Sequence, residues 1–337
     1  MFLKVLRGNS LANLIVVPIL GLVLWLVTKP LDEELVLLSD GILPMPLYAL
    51  ILKLTAFHPI IPFVLAILIL FGIAALLSRQ NKDFLILNSR SYYLPLFFIV
   101  ISSSYFPLLR LYPALIGTLF LVFALNRIFE SYHDLKIGNY FFDAGMLLSI
   151  GSLFYFPLLF LALILWVGIL LLRPIHFREW FMSVIGLILP YLFAWSFYFL
   201  TDANQLFFQT LKANWLFHNK FEHVNLSNYL FFAFVLILTI PAGLKMVSQS
   251  GNRKVSTRKF LRMYFWLSII TGLTIALIPS VALEMLPVLA LSLSYLFANY
   301  FLNIKNSLIG NILLTVIIFL LINLHVFQLY REFFRIF

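Results

Sequence analysis

Long apolar stretches run through this chain, divided by short charged joints. A bilayer core about 30 Å thick is crossed by roughly 20 apolar residues in helical form. On that rule the pattern predicts eleven spans, at about 11–28, 59–78, 91–109, 112–126, 139–155, 157–172, 180–200, 228–244, 263–279, 285–302 and 308–326. The expected fold is an all-α, polytopic transmembrane helix bundle. It forms a single integral membrane domain over 1–337, with a seven-span module at 1–200, an outer loop at 201–227 and the remaining spans in 228–337. Three joints are tight and join short spans: near Arg110, at Phe156-Pro157 and near Pro279-Ser280. The span count is hardest to read there.

Lysine and arginine favour every second joint. Placing the N-terminus in the cytoplasm puts most of the 23 basic residues on inner joints, six of them between Lys245 and Arg262. This is the positive-inside pattern. Asp32, Glu33, Glu34, Asp40, Asp202, Glu222, Glu284 and Glu332 then face outward. The start of the chain, Lys4 and Arg7 before an apolar run, has no small-residue cleavage site and reads as a retained first span. Two outer segments are long, 29–58 and 201–227. Leu47, Leu50, Ile51 and Leu54 in the first, and Phe207, Leu211 and Trp215 in the second, fall at helical spacing. Such stretches suit helices lying in the membrane interface, or a cap over the bundle.

Composition supports the membrane reading. Only 11% of the residues are charged and 63% are hydrophobic, too little polar surface to cover a globule of this size in water. The net charge of +10 belongs to orientation and to contact with anionic membrane lipids, and nucleic acid is not an expected partner. With no cysteine, thiol chemistry and thiolate metal sites are excluded. There is no phosphate-binding G-x-x-x-x-G-K-[ST] loop and no H-E-x-x-H, so neither a metal nor a cofactor is expected.

The acidic run Asp32-Glu33-Glu34 stands about four residues outside the first span, at the lipid–water boundary. A carboxylate there suits a general base acting on a hydroxyl acceptor, a ligand for a metal ion near a phosphate, or a solvated acidic turn. Asp143 lies just inside the cytoplasmic end of the fifth span. An ionisable residue at membrane depth is a site candidate, and a salt bridge to Arg127 or Lys136 is the plainer alternative. Glu284, at the outer start of the tenth span, invites the same two readings. Arg173, Pro174, His176, Arg178 and Glu179 form a compact inner joint that suits lipid phosphates or serves topology alone.

Two resemblances appear at this point. Phe142-Asp143-Ala144-Gly145 through Ser152-Leu153-Phe154-Tyr155, followed by Arg173 to Trp180, resembles an uncharacterised family of bacterial polytopic inner-membrane proteins. That implies a bacterial cytoplasmic-membrane location and no particular activity. The layout of long outer loops after spans one and seven, with Asp32-Glu33 in the first, resembles the C-type glycosyltransferase superfamily. This implies a polyprenyl-phosphate-linked sugar as donor and Asp32 or Glu33 as catalytic base. Lys29, Lys53, Lys212 and Lys220 would hold the donor phosphate. The first loop lacks a clear acceptor-binding motif and the second is short. The rival expectation is a non-enzymatic membrane scaffold or partner of an envelope assembly, working through membrane protein partners.

Overall fold

The computed structural model describes residues 11–26, 43–58, 60–87, 92–105, 108–133, 139–174, 176–215, 226–248, 254–278, 283–304 and 306–336. Their regular structure is entirely helical. In order the elements are α1 (Leu11–Leu26), α2 (Pro46–Thr55), α3 (Ile60–Phe84), α4 (Tyr93–Ser102), α5 (Pro113–His133), α6 (Tyr140–Phe154), a 3-10 helix (Phe156–Ala162), α7 (Leu163–Leu172), α8 (Phe177–Leu200), α9 (Asn204–Trp215), α10 (Leu226–Ser248), α11 (Val255–Leu277), α12 (Leu286–Leu302) and α13 (Ser307–Ile336). Every predicted span contains a helix. Six of them, within α3, α5, α8, α10, α11 and α13, are long and apolar enough to cross a membrane. Their outer faces carry exposed apolar side chains such as Leu68, Phe193, Ile237 and Phe319, a surface suited to lipid rather than water.

Helix ends depart from the apolar windows for a local reason. The stretch expected to end at 78 continues to Phe84, and the one expected to end at 126 continues to His133. Apolar character stops at the first charge, but Arg, Gln, Lys and Glu are good helix formers and carry the helix onward. Pairs within one helix help: Arg79 lies 3.4 Å from Asp83 and Arg127 lies 2.8 Å from Glu130. The opposite happens at 91–109. That helix stops at Ser102, because Ser104 Oγ bonds the Ile101 carbonyl at 2.7 Å and the chain then meets Pro107.

The centre is built from the short helices. α4 is buried at all ten positions and α12 at nearly all of its seventeen. A helix apolar and buried all round belongs inside a bundle. The two pack through rings, with Phe97 centred 5.0 Å from Phe301 and 5.6 Å from Phe297. The tightest pairing is α6 with α8. A Cβ on Gly186 would come within 2.3 Å of the Phe142 carbonyl oxygen, and one on Gly145 within 2.6 Å of the Ser183 carbonyl oxygen. Small residues let the backbones touch here, and Ser149 Oγ donates across the seam to the Leu187 carbonyl at 2.6 Å.

The two ends of the bundle differ. At one, which we call the loop end, α2 and α9 cover the α6–3-10 turn. Asn214 Nδ2 donates to the Leu43 carbonyl at 2.8 Å, and Trp215 meets Phe156 edge-on at 5.7 Å. In α2, Tyr48 and Thr55 face inward, while Leu50 and Leu54, and Phe57 just after the helix, are exposed. The helix therefore both caps the bundle and shows an apolar face, combining the two readings of its stripe.

The other, basic end carries Arg79, Arg127 and Arg173. Arg173 pairs with Glu179 at 3.0 Å, with side-chain exposures of 7% and 1%, so one of this joint's two arginines is held inside the protein while Arg178 is exposed. Stacked Trp166 and Trp180 rings lie 5.8 Å apart in the same segments. Glu179→Gln leaves a buried cation with a weakened partner and is expected to cost about 3 kcal/mol. A thermal melt of the purified protein in detergent checks this.

Candidate functional site at the loop end

Three interruptions of the helical chain converge at the loop end. The first lies between α4 and α5, where 103–105 and 108–112 are described; the second is Tyr155, before the 3-10 helix; and the third lies between α11 and α12, where 278 and 283–285 are described. Each is punctuated by proline: Pro107 and Pro113, Pro157, and Pro279 with Pro287. Proline bars the helix and pushes the preceding residue to extended backbone. Ile278, directly before Pro279, accordingly has φ −127° and ψ 77°, and Tyr155, two residues before Pro157, is extended at φ −139° and ψ 99°. Irregular backbone at membrane depth is tolerated only when enclosed by protein or lining a polar cavity. Leu108, Leu109, Leu111 and Tyr112 are all buried.

These breaks supply Arg110, Tyr112, Tyr155 and Glu284. Tyr112 and Tyr155 are 5% and 4% exposed, and among the described residues neither hydroxyl has a hydrogen-bond partner. The Tyr155 hydroxyl is close enough to the Glu284 carboxyl to influence its titration. Tyr48 on α2 closes the side, donating to the Leu111 carbonyl at 3.2 Å. Below, Trp25 Nε1 donates to Ser103 Oγ at 3.0 Å.

Glu284 keeps part of its surface open, but its carboxyl sits among protein atoms. Loss of water pushes it up to about 7, and the Tyr155 hydroxyl and the Arg110 guanidinium pull back only part of the shift. A carboxyl poised near neutrality beside a guanidinium is suited to passing a proton next to a bound anion. Between pH 4.5 and about 7 the folded protein holds a proton that the unfolded chain has lost. Stability therefore falls as pH rises through that window and levels off above it. The effect is at most about 3 kcal/mol. Melting temperature against pH is expected to show this slope, and Glu284→Gln to flatten it.

Beside Glu284 opens an apolar groove of about 750 Å³ between α10, α11 and α12. Leu283 and Leu286, which flank Glu284 in sequence, line it together with Phe232, Leu236, Phe265 and Leu289.

Of the residues singled out in the sequence, Lys29, Asp32, Glu33 and Lys220 lie outside the described residues. Lys53 and Lys212 are exposed on α2 and α9, at the same end as Glu284. The cation that bears on Glu284 is Arg110, not either lysine. Asp143 is at the opposite end of the bundle, 3.8 Å from Arg127 and in the first turn of α6, where a negative charge suits the helix dipole. Arg110, Tyr112 and Tyr155 were not singled out as chemistry. Their signal was the proline-marked joints. Among the described residues no group of three or more histidine and acidic side chains is placed to hold a metal ion. No protein-family model, no curated protein and no solved structure matches the chain.

Proposed function

We propose that this chain is a glycosyltransferase-like protein of the bacterial inner membrane. It would thread the bilayer eleven times from a cytoplasmic N-terminus and use a polyprenyl-phosphate-linked sugar at its outer face. In this reading the loop end is periplasmic and the basic end cytoplasmic, in keeping with the positive-inside pattern. The observation that carries the reading is the convergence of three broken elements on Arg110, Tyr112, Tyr155 and Glu284 beneath two outer segments joined by Asn214 and Leu43. The apolar groove that begins beside Glu284 suits an isoprenoid tail whose phosphate lies at Arg110. A sugar phosphate there leaves as an anion, which a guanidinium stabilises more as charge develops. Glu284 or the Asp32-Glu33 pair accepts the proton of the attacking hydroxyl, and the sugar's anomeric carbon exchanges its bond to phosphate oxygen for one to the acceptor.

The test is a deletion strain complemented with wild type, Glu284→Gln, or the Asp32→Asn, Glu33→Gln double variant, with lipid-linked sugars and envelope glycans compared by mass spectrometry. A sugar missing in the deletion and in either variant supports transfer and assigns the base. Restoration of a deletion phenotype by every variant overturns the catalytic reading in favour of a membrane scaffold.

A further inference from the structure

At the basic end, α3, α5 and α6 enclose a second pocket of about 390 Å³, and nothing above uses it. Its polar wall is Arg79, Gln80 and Asp83 from α3 with Asn126, Arg127 and Glu130 from α5. Gln80 is 2% exposed. Its Oε1 accepts from both the Tyr264 and Tyr295 hydroxyls, the latter at 3.0 Å, which fixes the amide and turns Nε2 away from that pair. Among the described residues Nε2 has no acceptor and Asn126 Oδ1 has no donor. A buried donor left unmade costs about 1–3 kcal/mol, so the pocket is built to receive a polar group.

Charge and depth say which kind. Arg79 with Asp83 and Arg127 with Glu130 place two cations and two carboxylates on the pocket wall, and Asp143 lies 3.8 Å from Arg127. Each guanidinium has five donors and keeps several free of its carboxylate partner. Leu76, Phe123 and Leu147 also line the pocket. They lie four residues, one helical turn, from Gln80, Arg127 and Asp143, each on the side nearer the middle of the bundle. Phe123 is 37% exposed, so the apolar side opens laterally. The pocket is polar at the membrane boundary and apolar one turn deeper.

We infer that this pocket binds the head group of a zwitterionic phospholipid that carries a phosphate and a primary ammonium. The phosphate accepts from Gln80 Nε2, Arg79 and Arg127. The ammonium donates to Asp83 and Glu130, and the first carbons of the chains lie on Leu76, Phe123 and Leu147. A lipid with phosphate but no ammonium draws the arginines from Asp83 and Glu130, offers those carboxylates no cation of its own, and is disfavoured. This inference does not depend on the transferase reading.

The experiment is native mass spectrometry of the delipidated full-length protein titrated with phosphatidylethanolamine and with phosphatidylglycerol of the same chains. Glycerophosphoethanolamine serves as a water-soluble competitor. Wild type is expected to retain one phosphatidylethanolamine about tenfold better than phosphatidylglycerol, the scale of a single charge-assisted hydrogen bond. Asp83→Asn with Glu130→Gln is expected to abolish that preference while the protein stays folded with a slightly lower melting temperature, and Gln80→Leu to weaken both lipids. Equal retention by wild type overturns the inference, as does a preference that survives the double variant. Displacement of the lipid by the soluble head group at equal concentration overturns the lipid assignment.

Discussion

Gly186→Leu is expected to remove the folded protein from the membrane. The Cβ alone would stand 2.3 Å from the Phe142 carbonyl oxygen and 3.1 Å from the Met146 backbone nitrogen. Those are backbone atoms and cannot rotate away, so α6 and α8 must separate along the seam. Overpacking a relaxed core costs about 1–3 kcal/mol, and a seam between two backbones has less room to relax than a side-chain contact. Parting the helices also breaks the Ser149–Leu187 and Ser152–Tyr191 hydrogen bonds, at 2.6 and 2.8 Å. Membrane-fraction yield and size-exclusion behaviour in detergent check this. Gly72→Leu is the control, because nothing lies within 4 Å of its Cβ, and it is expected to accumulate normally.

With Glu284 as the base of the proposed transfer, Glu284→Gln is expected to remove nearly all activity while leaving the amount of protein unchanged or raised. Glutamine keeps the size and removes the only group in the chamber whose titration falls near neutrality among those described. Loss of a positioned general base or acid lowers a rate by about 10²–10⁴-fold. Glu284→Asp restores the charge at a shorter reach and is expected to recover part of the activity. If Glu284 serves as the base, the wild-type rate rises with pH through about 7, as the carboxyl loses its proton. A structural role for Glu284 moves yield or melting temperature and leaves this profile in place.

Among the described residues a helix lies in every apolar window, and six of these helices are long and apolar enough to cross a membrane. The windows misjudged ends wherever helix-forming charged residues followed, as at Arg79 to Phe84, because hydropathy marks the bilayer and not the hydrogen-bonded helix. The chamber was half visible. Glu284 stood out as an acid at a span boundary, but Tyr112 and Tyr155 read as two aromatics among many, since no local pattern separates a tyrosine aimed at a carboxyl from one packed in lipid. The joints near Arg110, at Phe156-Pro157 and near Pro279-Ser280 were the ones where counting spans was hardest. They were hard for the reason that makes them matter: the chain leaves the helix there, and the freed backbone and polar side chains gather in one place. Asp143 drew attention by depth, and of the two salt-bridge partners expected for it, Arg127 and Lys136, Arg127 lies 3.8 Å away.

The most direct test is whether the loop-end chamber holds a lipid phosphate. Purified wild type and Arg110→Ala, Tyr155→Phe and Glu284→Gln variants would be titrated with polyprenyl phosphate and followed by native mass spectrometry. Wild type is expected to retain one molecule, and Arg110→Ala to lose about tenfold or more in retention, the scale of a charge-assisted contact to phosphate. Tyr155→Phe is expected to weaken retention less, and Glu284→Gln to hold the lipid as well as wild type or better. Equal retention by wild type and Arg110→Ala, with both folded, would contradict the account and leave the chamber a structural knot of broken helices.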